Sequence, residues 1–145
     1  MFTNAFSFNQ PVTIPDSVTN TSYMFDYCPK FNQIVTIGNN VINASNMFKE
    51  CRNFNQPITI PNSITDASNM FTTCTNLNQS VTILDGITNT SYMFEMCYKF
   101  NYPITIPNSV TNTACMFSTC TNFNQSVTIP DGVINASGMF RGDRK

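Results

Sequence analysis

Apolar and polar residues alternate in a short phrase that returns all along the chain. Val12-Thr13-Ile14 recurs as Val35-Thr36-Ile37, Ile58-Thr59-Ile60, Val81-Thr82-Ile83, Ile104-Thr105-Ile106 and Val127-Thr128-Ile129. Strict alternation of β-branched residues predicts a short half-buried strand, with valine and isoleucine inward and threonine outward. Pro15, Pro61, Pro107 and Pro130 end the strand in four copies, and Gly38 and Leu84 stand there in the other two. Pairs such as Asp16-Ser17 and Asn39-Asn40 then supply turn chemistry.

The second half of each copy opens at Val18, Val41, Ile64, Ile87, Val110 or Val133. Three residues on stands a small residue (Thr21 or Ala44), three further a methionine, then a phenylalanine, and three after that a cysteine. Apolar positions at steps of three, without a long amphipathic run, predict an extended or 3₁₀-like segment rather than a full helix. Met1, Met24, Met47, Met70, Met93, Met116 and Met139 are each 23 residues apart. A fixed period of that length predicts a β-dominated solenoid in which each repeat is one coil. The expected organisation is a single repeat domain over 1–145, with about six coils beginning near 8, 31, 54, 77, 100 and 123 and a charged tail at 141–145.

Each column of the aligned copies asks for a physical reason. Phe8, Phe31, Phe54, Leu77, Phe100 and Phe123 are expected to stack inside. Asn9, Asn32, Asn55, Asn78, Asn101 and Asn124 follow them without a break. An asparagine at the same corner of every coil can bond the backbone of its own turn and of its neighbour's, which would otherwise be left unpaired. Asn20, Asn43, Asp66, Asn89, Asn112 and Asn135 form a second such column, and its aspartate argues for corner hydrogen bonding, which either side chain can do.

Charge narrows the function classes. Charged residues are 10% of the chain, the net charge is -1, and three of its seven Lys and Arg residues fall in the last five positions. A nucleic-acid partner, which needs a basic patch, is not expected. A surface of Asn, Thr, Ser and Gln suits an extracellular, cell-surface or virion-surface setting. No run approaches the apolar length a membrane helix requires, so no membrane insertion is expected. Met1 to Gln10 lack the basic start and apolar stretch of a signal peptide and keep the spacing of Met24 to Gln33. The chain therefore opens in mid-repeat, which leaves two expectations, an authentic start at Met1 or, slightly preferred, a piece of a longer repeat array.

Cys28, Cys51, Cys74, Cys97 and Cys120 occupy one column, with Ala5 in the first copy, so the position asks for a small buried group. Zinc sites use local cysteine pairs or histidines, and this chain has no histidine. Buried free thiols are expected, with Cys115 and Cys120 the pair to test for a disulfide. Asn-x-Ser/Thr sequons at Asn20, Asn43, Asn78, Asn89, Asn124 and Asn135 fall within the amide columns, where a glycan would open the corners. Arg141-Gly142-Asp143 spells an attachment tripeptide, read more simply as part of the charged tail. Without histidine, paired carboxylates or a phosphate-cradling glycine loop, neither an enzyme nor a cofactor is expected.

The phrase Met-Phe-x-x-Cys-x-x-Phe-Asn-Gln, with Val18 to Phe25 before the next cysteine, resembles the BspA-like leucine-rich repeats of bacterial surface proteins. A longer Met-Phe, Phe-Asn-Gln variety is typical of Mycoplasma-type surface lipoproteins. The Ile-Pro-x-x-Val element at Ile14 to Val18 and the 23-residue period are similar to the Treponema-type branch. The coils here are about two residues shorter than the Met-Phe variety and lack its tryptophan. Phe-Asn-Gln-Pro followed by Ile-Pro-x-Ser-Val also resembles, less completely, the FNIP repeats of amoebae and giant viruses. The BspA-like resemblance implies an α/β-type leucine-rich-repeat rod or horseshoe with one parallel sheet, used in adhesion and host-surface binding.

The expected partner surface is the outward column Thr13, Thr36, Thr59, Thr82, Thr105 and Thr128, with adjoining Gln10, Gln33, Gln56, Gln79, Tyr102 and Gln125. The expected partner is a protein or glycan on a cell surface, or else further copies of the chain in a structural spacer or fibre. Ice binding through the threonines is a distant third reading, because such surfaces carry two columns, Thr-x-Thr. Tyr27, Lys49, Arg52, Glu95 and Tyr98, which the fold does not demand, are candidates for individual specificity.

Overall fold

The computed structural model describes residues 1–143. The alternating phrase becomes a strand in four of its copies: β1 (Val12–Thr13), β2 (Val35–Thr36), β3 (Ile58–Ile60) and β4 (Val81–Ile83). β1 pairs with β2 and β3 with β4, both parallel and both offset by one period, so that Val12 faces Val35 and Thr59 faces Thr82. At the other corner, parallel bridges run from Asn20 to Asn43 and on through Asp66, Asn89 and Asn112 to Asn135.

The expected α/β leucine-rich-repeat rod or horseshoe with one parallel sheet is overturned. The described residues form no helix, and their strands make two separate two-stranded parallel sheets, so the class is all-β with little regular strand. The sheet breaks between β2 and β3, where Pro57 leads the incoming strand. Each sheet runs from a proline-led copy (Pro11 or Pro57) to one led by Ile34 or Ser80. A proline has no N–H to return to the strand beside it.

The second half of the repeat is neither extended nor 3₁₀ but a string of tight turns. In one copy the carbonyls of Thr21, Tyr23, Phe25 and Cys28 accept from the amides of Met24, Asp26, Cys28 and Phe31, at 3.0, 3.2, 3.1 and 3.0 Å. Tyr23 and Tyr27 lie in the left-handed region, with φ of 57° and 56°. The same two positions are left-handed in later copies, as Asn46 and Glu50, Asn69 and Thr73, Tyr92 and Met96, Cys115 and Thr119, and Gly138 and Gly142. A left-handed residue in every second turn reverses the winding, which keeps the turns from merging into a helix.

Copies join through backbone bonds across one period. The amides of Phe25 and Tyr27, for instance, donate to the carbonyls of Met47 and Lys49, both at 2.9 Å. Inside, Phe2, Phe25, Phe48, Phe71, Phe94, Phe117 and Phe140 form a column of near-parallel rings, successive centroids 5.2 to 5.6 Å apart. A second column, Phe8-Phe31-Phe54 and then Phe100-Phe123, has steps of 5.7 to 6.0 Å and nests against the first at 4.2 to 4.7 Å. Leu77 interrupts it. Each offset ring pair contributes about 0.5–1.5 kcal/mol beyond its area. The buried Val, Ile, Met and Cys columns fill the rest of this continuous core.

Candidate functional site

All six predicted threonines are exposed, and the Val and Ile residues flanking them are buried or half-buried except Ile129, which is exposed. Inward anchoring of the flanking residues turns the hydroxyls out, and the parallel register places Thr59 directly opposite Thr82. Thr36, Thr59 and Thr82 share a shallow trough of about 440 Å³ with Val35, Pro57 and Leu84. Thr105 and Thr128 share another of about 450 Å³ with Pro103 and Pro130. Tyr102 is exposed beside the column, and Gln33 and Gln79 are half-buried.

Two of the adjoining glutamines have a different role. Gln56 Nε2 donates to Asn32 Oδ1 at 3.0 Å, and Gln125 Nε2 to Asn101 Oδ1 at 3.1 Å. Both brace the asparagine column. On the turn side, Tyr27, Arg52 and Tyr98 are exposed, whereas Lys49 and Glu95 are half-buried. Arg52 is held by Glu50 at 3.0 Å. Burial raises the Glu95 carboxyl above its ordinary range, and Lys49 opposes that rise.

The first asparagine column makes the neighbour half of the expected ladder. The backbone amides of Asn32, Asn55, Asn78, Asn101 and Asn124 donate to the Oδ1 atoms of Asn9, Asn32, Asn55, Asn78 and Asn101, at 2.9 to 3.0 Å. Beside this column lies a polar groove of about 750 Å³, lined by its asparagines together with Asn53, Asn76, Gln79, Lys30 and Lys99. The sequence held a signal for it, since Lys30, Asn53, Asn76 and Lys99 share one column of the repeat. The second amide column closes turns as expected: Asn43 Oδ1 accepts from the Ser45 amide, and Asp66 does the same for Ser68, both at 2.9 Å.

The six cysteines are free thiols, so Cys115 and Cys120 form no disulfide. The column is more than a small buried group. Cys28, Cys51, Cys74, Cys97 and Cys120 each donate through sulfur to a phenylalanine carbonyl of the copy before, at 2.8 to 3.1 Å. Burial pushes Cys74 and Cys97 well above the usual thiol range and Cys120 up to about 12. These thiols act as hydrogen-bond donors, not nucleophiles.

Residues 141–143 continue the turn pattern instead of forming a tail; Arg144 and Lys145 lie outside the described residues. Asp143 occupies the cysteine column. Both its carboxylate oxygens are buried with no hydrogen-bond partner among the described residues, so the Arg-Gly-Asp tripeptide does not present its acid. No cluster of three or more metal-ligating side chains occurs among the described residues. No helix among them is long and apolar enough to cross a membrane.

Every copy thus offers the same three surface elements: an exposed threonine, a ladder asparagine that is exposed or half-buried, and a turn. The chain belongs to the family described as Mycoplasma protein of unknown function, DUF285, which matches residues 1–86 and 61–145. No curated protein and no solved structure matches the chain.

Proposed function

We propose that this chain is a non-enzymatic recognition module that binds a protein or glycan of a cell surface across its threonine face, from an extracellular or surface location. The observation that supports this reading is the trough in which Thr36, Thr59 and Thr82 stand outward over buried β-branched neighbours. A threonine hydroxyl both donates and accepts, and its methyl offers apolar contact. Its branched Cβ leaves little rotamer freedom to lose on binding. A row of such groups at constant spacing matches a repetitive or extended partner.

The test is the double variant Thr59→Lys/Thr82→Lys, compared with the unaltered chain on an array of cell-surface glycans and proteins. Both side chains are exposed, so thermal unfolding stays near that of the parent while affinity for the bound partner falls at least tenfold. Equal affinity for that partner would remove the threonine face from the account.

A further inference from the structure

The asparagine groove lies beside the threonine face, and the chemistry it presents is set by the ladder behind it. A backbone N–H can only donate, so each ladder asparagine must turn Oδ1 toward the amide of the next copy. That fixes the side-chain flip without appeal to fine geometry. The Nδ2 groups of Asn9, Asn32, Asn55 and Asn78 are left for the groove, and no acceptor among the described residues takes them. A row of four donors results. Lys30 and Lys99 add an ammonium group toward either end, and the lining includes no Asp or Glu.

We propose that this groove binds a linear acidic polysaccharide, with ring and hydroxyl oxygens accepting from the asparagine row and carboxylates paired to Lys30 and Lys99. The two lysines are three periods apart, roughly 14 Å at about 4.8 Å per step. One step is close to the length of one pyranose unit in an extended chain, so successive sugars meet successive asparagines. Neutral sugars donate hydroxyl protons as readily as they accept them, and a donor-rich wall with two cations favours a uronate over them. Single-stranded nucleic acid fits less well, because the lining has no aromatic side chain to stack a base and only two cations along its length. This site is separate from the threonine face and stands or falls on its own.

The experiment is isothermal titration of the full chain with oligogalacturonate, with neutral dextran oligomers, poly-glutamate and single-stranded DNA as comparators. Two variants are run beside the parent. Asn55→Asp keeps an oxygen to accept the Asn78 amide but replaces the groove donor with an anion. Lys99→Gln is exposed and carries no structural bond among the described residues. Oligogalacturonate is expected to bind the parent best, to weaken with added salt, and to lose at least tenfold in affinity with either variant. The proposal is overturned by no binding of oligogalacturonate, by equal or tighter binding of any comparator, or by variants that bind as the parent does.

Discussion

The Cys74 thiol donates to the Phe48 carbonyl oxygen, 3.0 Å away in the preceding copy. That carbonyl also accepts the Cys51 amide at 3.0 Å, so one oxygen ties a turn in its own copy to the side chain of the next. Losing a buried hydrogen bond of this kind costs about 1 kcal/mol, and the missing sulfur leaves a small void. Cys74→Ala is therefore expected to lower stability by about 1–2 kcal/mol in urea unfolding. Cys74→Ser, which keeps a donor, is expected to lose less. A serine variant weaker than the alanine would show that the column asks for a small apolar group and not for a donor.

Leu77 is the gap in the second aromatic column, between Phe54 and Phe100. Five of the six copies carry phenylalanine at this position, and neighbouring rings elsewhere in the column lie 5.7 to 6.0 Å apart. Leu77→Phe is expected to restore two ring contacts and stabilise the chain by about 0.5–1.5 kcal/mol. The midpoint of urea unfolding checks it; a lower midpoint would mean the core has closed around the leucine.

Asp143 stands where five copies have a cysteine, and burial raises its pKa from 3.8 to about 6. The folded chain then holds this proton more tightly than the unfolded chain does. The contribution to stability is complete below pH 3.8 and declines as the pH rises through about 6. Burial shifts Asp26 and Glu95 in the same direction. Asp143→Cys, which restores the column's donor, is expected to flatten the fall in melting temperature between pH 4.5 and 7. The same fall in parent and variant would assign it to Asp26 and Glu95.

Much of this arrangement is legible in the sequence because it repeats. The alternation around Thr59 gives the outward threonine, and the unbroken column at Asn55 gives the ladder. The left-handed turns are harder to read. Thr73, Glu50 and Met96 hold φ near +60° although none is a residue that favours it, and only Asn46, Asn69, Gly138 and Gly142 advertise the positions in the later copies. Reading the steps of three as extended or 3₁₀-like structure missed that reversal. The broken sheet was also missed, since a Val-Thr-Ile phrase looks alike in paired and unpaired copies. The donor role of the cysteines and the Gln56 brace both depend on contacts between copies, which no single copy displays.

The polarity of the groove depends on the asparagine ladder, which turns each Oδ1 to the next copy. Native-state amide hydrogen exchange followed by NMR tests it most directly. The amides of Asn55, Asn78 and Asn101 sit in irregular backbone and bond only to a side chain of the copy before. They are expected to exchange orders of magnitude more slowly than free peptide amides, and Asn55→Ala to release the Asn78 amide while Asn55→Asp keeps it protected. Fast exchange at these amides in the unaltered chain would contradict the ladder and, with it, the groove built on it.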